Sequence, residues 1–432
     1  MPSPDQYDVS GMSQDQSPSR TLHHVRTDCR ACGEERLTRF LVLGPQPLAN
    51  ANLRDLSEAD RELRFPLDVY FCESCALVQL VDVIDPEVLF RHYIYVTGTS
   101  ETIAAHNVVY ADTVVNLLSL GADDLVVEVA SNDGSLLRCF QARGVRTLGV
   151  EPATNIAAIA RAHGIETVGD FFNGETGERL RAERGPARAV IGNNVLAHVD
   201  DTQDFLRGAR ALIDGDGLVI TEVPYARTML EHLEYDTVYH EHLCYFSVTS
   251  LMRLCEAVGL TLVRVDEVAV HGGSVRMYAG RKEHYATPGA DVLRMVEQER
   301  AIGLTSLARW QTFARDVEAQ RAALRAMLEK FRDEGKSVAA YGAPAKGNTL
   351  LNYCAISTDL VPYTVDRSAL KVGTYTPGTH LPVLPVETLL ERQPDYVLIL
   401  AWNFADEIMR QQQAYREAGG RFIVPIPFPK IV

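Results

Sequence analysis

Leu125-Val-Val-Glu-Val-Ala-Ser-Asn-Asp-Gly-Ser-Leu136 reads as a buried strand, a tight turn and the start of a helix. Thr147-Leu-Gly-Val-Glu151 reads as the next strand, and it ends on an acid about 20 residues after the turn. Working outward, a helical stretch covers 155–164, Glu166–Phe172 holds a third strand, and 176–184 is helical. The strand 189–194, a helix over 201–214 and the strand 218–223 follow. Strands alternating with helices of about 10–15 residues predict a parallel sheet of the Rossmann-like α/β class. Further along, Leu307, Trp310, Phe313, Val317, Leu324, Leu328 and Phe331 recur at helical spacing and predict one long amphipathic helix. After it, 338–343, 360–366 and 396–402 read as three more buried strands, hence a second α/β unit.

The turn after Val129 has the layout of a nucleoside site, with Glu151 placed to accept hydrogen bonds from ribose hydroxyls. Ala130 and Asn132 stand where glycines are usual. A pyrophosphate needs several glycines for close backbone approach. The amino-acid tail of S-adenosylmethionine (SAM) demands less. SAM is therefore the favoured occupant, with a dinucleotide or a purely structural turn as alternatives. Asp170 and Phe171, after the third strand, are candidates to bracket an adenine, although such phenylalanines equally serve a core. Glu128, Ala130, Asn132, Asp133, Gly134, Glu151, Asp170, Phe171 and Asn193 are the expected cofactor contacts.

Cys29-Arg-Ala-Cys32 and Cys72-Glu-Ser-Cys75 are two CxxC knuckles. Together they offer four thiolates, a complete tetrahedral zinc site with no position open to water. The expected zinc is structural, and losing any one cysteine is expected to destabilise the module more than it impairs chemistry. Eight cysteines are too few for a disulfide scaffold in 432 residues, and a reducing compartment keeps them as thiols. The 42 basic and 57 acidic residues give a net charge of −15, which argues against nucleic-acid or acidic-membrane partners. No run of about 18 apolar residues predicts a membrane span, and the polar N-terminus has no signal-peptide character, so a cytoplasmic location is expected.

Tyr239-His240-Glu241-His242 follows the strand 218–223 and its loop, and His198 follows the strand 189–194. Two histidines, a glutamate and a tyrosine at the mouth of a cofactor-binding sheet point to general acid–base chemistry. Adjacent residues rarely converge on one ion, which makes these poor metal ligands.

The paired knuckles together with EVASNDGSLL, GVEPATNIA, GDFF, NNVLAH, YHEHLCYFS, HGGSVR and YGAPAKGNTLLN resemble the sugar C-methyltransferases, over about residues 27–430. That family methylates nucleotide-linked 4-keto deoxysugars on the way to branched sugars, including those of antibiotics. The polar stretch 1–24 is expected to be a disordered leader, and the resemblance implies three parts: a zinc module (25–95), a SAM domain (96–267) and a C-terminal α/β domain (268–432) that holds the sugar nucleotide. It implies that Tyr93, His198, Tyr239, Glu241 and His242 line the active site. In the C-terminal domain, Tyr341, Gly342, Lys346, Gly347, Asn348 and Lys371 are the expected substrate contacts. Backbone N–H groups, the helix N-terminus and Lys346 offer a place for a diphosphate, most naturally of a dTDP-sugar.

The expected chemistry removes a proton from C3, beside the ketone. His242 is expected as the base, with Tyr239 its rival. His198 is expected to stabilise the enolate oxygen, Tyr93 to help position the sugar, and Glu241 to raise the basicity of a neighbouring histidine. An oxygen methyltransferase and a sugar-nucleotide epimerase that transfers no methyl group are the alternatives. A NAD-dependent dehydrogenase is weakened by Ala130 and Asn132. The sequence leaves the oligomeric state open, and a monomer is compatible with it.

Overall fold

The computed structural model describes residues 22–90, 101–268 and 273–432. Tyr93 therefore lies outside the described residues. The central sheet has seven strands: Leu125–Val129, Arg146–Val150, Thr167–Val168, Ala187–Asn193, Ile213–Pro224, Leu260–Val268 and Ser274–Arg281. Numbered along the chain, they lie in the order 3-2-1-4-5-7-6. The first five are parallel, while the last two join antiparallel. The sheet is thus mixed, not parallel as expected. Residues 269–273 are too few for the crossover that a parallel neighbour needs. The domain boundary expected at 267/268 falls at the end of the strand Leu260–Val268, and the sheet continues to Arg281. Strand order reverses between the first and fourth strands, which opens a ligand crevice at their C-terminal ends.

The N-terminal module is a small antiparallel sheet of Leu37–Val42, Asp68–Cys72 and Val78–Leu80. Its fourth strand, Cys244–Tyr245, comes from the central domain and follows directly on Tyr239–His242. His23–Val25 pairs with Asp82–Ile84, so regular structure already begins inside the stretch expected as leader.

The C-terminal unit has six strands: Val338–Tyr341, Thr364–Asp366, Val383–Pro385, Tyr396–Ile399, Arg421–Val424 and Lys430–Ile431. Their order is 3-2-1-4-5-6, with only the last antiparallel. The expected long helix is Leu307–Asp333, 27 residues or about 40 Å. Near its start Trp310 packs on Phe40 of the N-terminal module, with ring centroids 5.4 Å apart. Near its end Phe331 stacks on Tyr396 of the C-terminal sheet at 4.0 Å. The apolar stripe that predicted the helix therefore ties the outer units together. Among the described residues, no helix is long and apolar enough to cross a membrane.

Candidate active site

A single cavity of about 800 Å³ is lined by all three units. The N-terminal module contributes Asn50, the central domain Glu128, Glu151, His198, Tyr239 and His242, and the C-terminal unit Lys346 and Lys371.

At one end lies the turn after Val129. Ala130 and Asn132 adopt the left-handed φ values, +53° and +49°, that glycines would take without cost. Strain of this kind collects at ligand sites. Gly134 has φ +74°, and a Cβ there would stand 2.6 Å from Ile165, so a side chain would not fit. The Glu151 carboxylate accepts from the backbone N–H of Asn132 at 2.9 Å and of Ala153 at 2.8 Å. Glu128 is buried, and its Oε2 has no partner within the protein. Burial, then the charges of Asp133 and Glu151, push its carboxyl well above the usual range. Asn193 likewise has a buried Oδ1 without a protein partner.

Buried carboxyls whose proton is held by burial and by their neighbours release it beside a cation, whereas a pyrophosphate would find no cationic or glycine-rich cradle among the described residues of this turn. SAM carries both an ammonium and a sulfonium group, so the residues fit it and not a dinucleotide. Phe171 and Asp170 line the cavity, with Asp170 ion-paired to Arg179 at 2.8 Å. Phe172 packs on Phe205 and belongs to the core. Glu151→Ala is expected to weaken SAM binding by about 1.5–3 kcal/mol, the value of a hydrogen bond to a charged group. Calorimetry that finds unchanged SAM affinity would place the ribose contact elsewhere.

At the middle of the cavity, Tyr239–His242 is a tight turn in which the His242 amide donates to the Tyr239 carbonyl at 2.8 Å. His242 Nδ1 lies 2.9 Å from the Thr237 carbonyl, which can only accept. In the neutral ring Nδ1 therefore carries the proton and Nε2 the lone pair. That lone pair meets the Tyr239 hydroxyl at 2.7 Å, so Tyr239 donates to His242. His198 stands edge-on to His242, with ring centroids 4.8 Å apart. Burial pulls the His198 pKa down to about 4, so the ring is neutral at pH 7, and its Nδ1 has no partner within the protein. His240 turns away. Its Nε2 donates to the carbonyls of Phe65 and Pro66, and its ring packs on Phe65, which docks the segment on the N-terminal module.

Glu241 does not serve a histidine as expected. Its carboxylate accepts from Asn50 Nδ2 at 2.7 Å, and the Thr237 carbonyl orients His242 instead. Asn50 lines the cavity and was not predicted, because its contact with Glu241 spans 191 positions of sequence. Burial pushes the Glu241 pKa up to about 7. The folded chain therefore holds this proton more tightly than the unfolded chain does. Stability is lost as pH rises from the ordinary glutamate range, about 4.3, through about 7. Glu241→Gln keeps an acceptor for Asn50 without the charge. It is expected to melt higher than the parent at pH 8, by on the order of 2–3 kcal/mol, and alike at pH 4.5. Equal differences at both pH values would contradict this.

The four cysteines meet as expected. Their sulfurs all lie within 4.8 Å of one another, with Cys29–Cys75 at 3.4 Å and Cys32–Cys72 at 3.6 Å. Four Zn–S bonds of about 2.3 Å place sulfurs about 3.8 Å apart, so the set fits a tetrahedral ion with every position filled by protein.

The expected substrate residues divide. Lys346 and Lys371 line the cavity. Lys346 Nζ lies 3.8 Å from Glu234 and 5.2 Å above the Trp402 ring, so its charge is already shared. Lys371 donates to the Ala343 carbonyl at 2.7 Å, and burial lowers its pKa. Tyr341 is buried in the core of the C-terminal sheet. Gly342 takes φ +92° at the end of its strand. Gly347 packs so closely that a Cβ would stand 2.7 Å from Leu400. Asn348 donates to the Ala49 carbonyl of the N-terminal module at 2.7 Å, which places it in an interface between units.

Comparisons with known proteins agree along the whole chain. A model described as a zinc binding domain matches residues 29–90, and one described as a methyltransferase domain matches 105–265. A third, described as a C-methyltransferase C-terminal domain, matches 269–427. The chain is 39% identical over 407 residues to the C-methyltransferase NovU of Streptomyces niveus, covering 94% of this chain and 96% of that protein. Among solved structures it is similar to magnesium protoporphyrin IX methyltransferase from Synechocystis with bound SAM. That likeness has 16% identity and a TM-score of 0.31, over 42% of this chain and 82% of the other. It is also similar to 1,6-didemethyltoxoflavin-N1-methyltransferase from Burkholderia thailandensis, with 21% identity and a TM-score of 0.31, over 40% and 76%.

Proposed function

The chain belongs to the C-methyltransferases with an N-terminal zinc-binding domain and uses SAM as methyl donor; from that premise we propose that it methylates C3 of a nucleotide-linked 4-keto deoxysugar, in branched deoxysugar biosynthesis. The observation that carries this reading is the Tyr239–His242 hydrogen bond, set against a neutral His198 in the cavity that also holds the acid-lined turn.

A proton on carbon beside a ketone is too weak an acid to leave unaided at neutral pH. The site must supply a base at the carbon and a partner for the oxygen, where charge develops. Tyr239 and His242 act as one base. A proton taken by the Tyr239 oxygen releases the tyrosine's own proton to His242 Nε2, whose lone pair is held ready by the Thr237 carbonyl. In this reading Tyr239 takes the proton from C3, the role expected of His242, and His242 is the final proton acceptor. His198 is an uncharged ring whose unpartnered Nδ1 faces the ketone oxygen; it donates there, and stabilises the enolate, in the tautomer that carries its proton on Nδ1 instead of toward the Glu241 carbonyl. His242 is buried and Tyr239 and His198 are half-buried, which limits the water that can compete. SAM supplies an electrophilic methyl group to the carbon so activated. Lys371, with Lys346 beside Glu234, faces the anionic nucleotide, and a dTDP-linked sugar is the expected form. Tyr93 remains a proposed sugar contact.

A substrate deuterated at C3 tests this reading. Complete loss of deuterium with each methyl transfer is expected. Retention would remove the enolate from the mechanism and favour transfer to oxygen.

A further inference from the structure

Arg30 sits between two zinc ligands, Cys29 and Cys32, yet its side chain is completely buried and its partners lie beyond the knuckle. Its Nη2 and Nε reach Asp200 Oδ1 at 3.0 and 3.2 Å. Its Nη1 donates to the Leu80 carbonyl, and its own carbonyl accepts from Thr202 Oγ1 at 2.8 Å. Asp200 stands two positions after His198. Leu80 is in the strand whose amide donates to the Leu243 carbonyl at 3.0 Å, one position after His242. The Leu243 amide in turn donates to the Ala197 carbonyl at 2.8 Å, one position before His198. One guanidinium therefore binds Asp200, close after His198, and the strand whose Leu80 amide holds the segment that follows His242.

We propose that Arg30 is a positioning residue that sets the spacing of His198 and His242, so that the first cysteine knuckle fixes the geometry of the active site as well as its own fold. The proposal rests on the reading of those histidines given above. Stability alone is a poor reason for this arrangement. A buried ion pair often contributes no more than apolar packing of the same volume, while its planar fork fixes geometry. Misplacing a catalytic group by about 1 Å through a distant change costs up to about 10²-fold.

The test uses Arg30→Lys, Asp200→Asn and their combination in the full chain. Four readouts are taken: zinc content, SAM affinity, imidazole ¹⁵N spectra of the substrate-free protein, and C3 proton exchange of dTDP-4-keto-6-deoxyglucose in deuterated water. Zinc is expected to stay at one per chain and SAM affinity to stay within about 2-fold. The His198 and His242 signals should move while exposed His163 does not. Saturated exchange should fall by about 10–100-fold, and the double variant should lose less than the product of the two single losses, because both single changes break the Arg30–Asp200 contact. Unmoved histidine signals with full exchange would overturn the proposal, as would a loss of exchange that tracks loss of zinc. Should Arg30→Lys not fold, Asp200→Asn alone decides. His198→Asn and His242→Asn run alongside. If those keep full exchange, the reading of the site has failed; if only they are impaired, the positioning role has failed.

Discussion

Tyr239→Phe and His242→Asn are each expected to lower methyl transfer and C3 proton exchange together, by about 10²–10⁴-fold, the usual contribution of a positioned base. Both losses go together because exchange reports deprotonation without any methyl transfer. The hydrogen bond of 2.7 Å between the two side chains makes them a single proton-accepting unit. Removing both should therefore cost little more than removing one, as with other groups that act together. The fixed tautomer adds a control. His242 Nδ1 is tied to the Thr237 carbonyl, so an asparagine there cannot supply a basic lone pair to Tyr239. His240→Asn should behave differently. His240 binds the Phe65 and Pro66 carbonyls, so its loss should lower stability with little change in exchange by the folded protein. Normal exchange in His242→Asn alongside lost exchange in Tyr239→Phe would leave Tyr239 as the base without His242.

Replacing Cys72 by serine is expected to remove the zinc and, with it, a large share of the N-terminal module's folding energy, on the order of 10 kcal/mol for such sites. The sequence alone suggests that chemistry suffers less than folding. The contacts of the module point to a larger effect on chemistry. Val78–Leu80 follows closely on Cys75 and pairs with Cys244–Tyr245, the strand that continues from the catalytic turn. Asn50, from the same module, holds Glu241. A module that melts therefore releases one wall of the cavity. Zinc content, melting and methyl transfer should fall together. A zinc-free variant that keeps its melting temperature and full activity would show that the module is dispensable to the site.

The parts of this molecule that could be read from sequence are those whose signal is local. Leu125–Val129 and Ala187–Asn193 are buried along almost their whole length and so appear as mostly apolar runs, broken by Glu128 and Arg188. The helix Leu307–Asp333 shows its buried stripe over several turns, and the two CxxC pairs carry their own spacing. Leu260–Val268 and Ser274–Arg281 escaped because they mix charge with core. Arg276 is buried against Glu222, Asp266 accepts from the Tyr278 hydroxyl, and a register shift between Leu262 and Arg264 breaks the alternation. In the site, residue types near the chemistry were legible but their partners were not. Glu241 reads as a helper of the adjacent histidines until the fold brings Asn50 to it. Asn348 reads as a ligand contact until Ala49, 299 positions away, claims its amide. Such pairings are properties of the assembled units, and no local pattern encodes them.

The central claim, base-assisted methylation of carbon in a nucleotide 4-keto deoxysugar, is tested most directly by the structure of the product. The chain is incubated with SAM and a panel of such sugars, and the product is analysed by mass spectrometry and carbon NMR. One new methyl group bonded to C3 and one S-adenosylhomocysteine for each product formed are expected. A methyl group on oxygen, or an altered sugar with no S-adenosylhomocysteine, would contradict it.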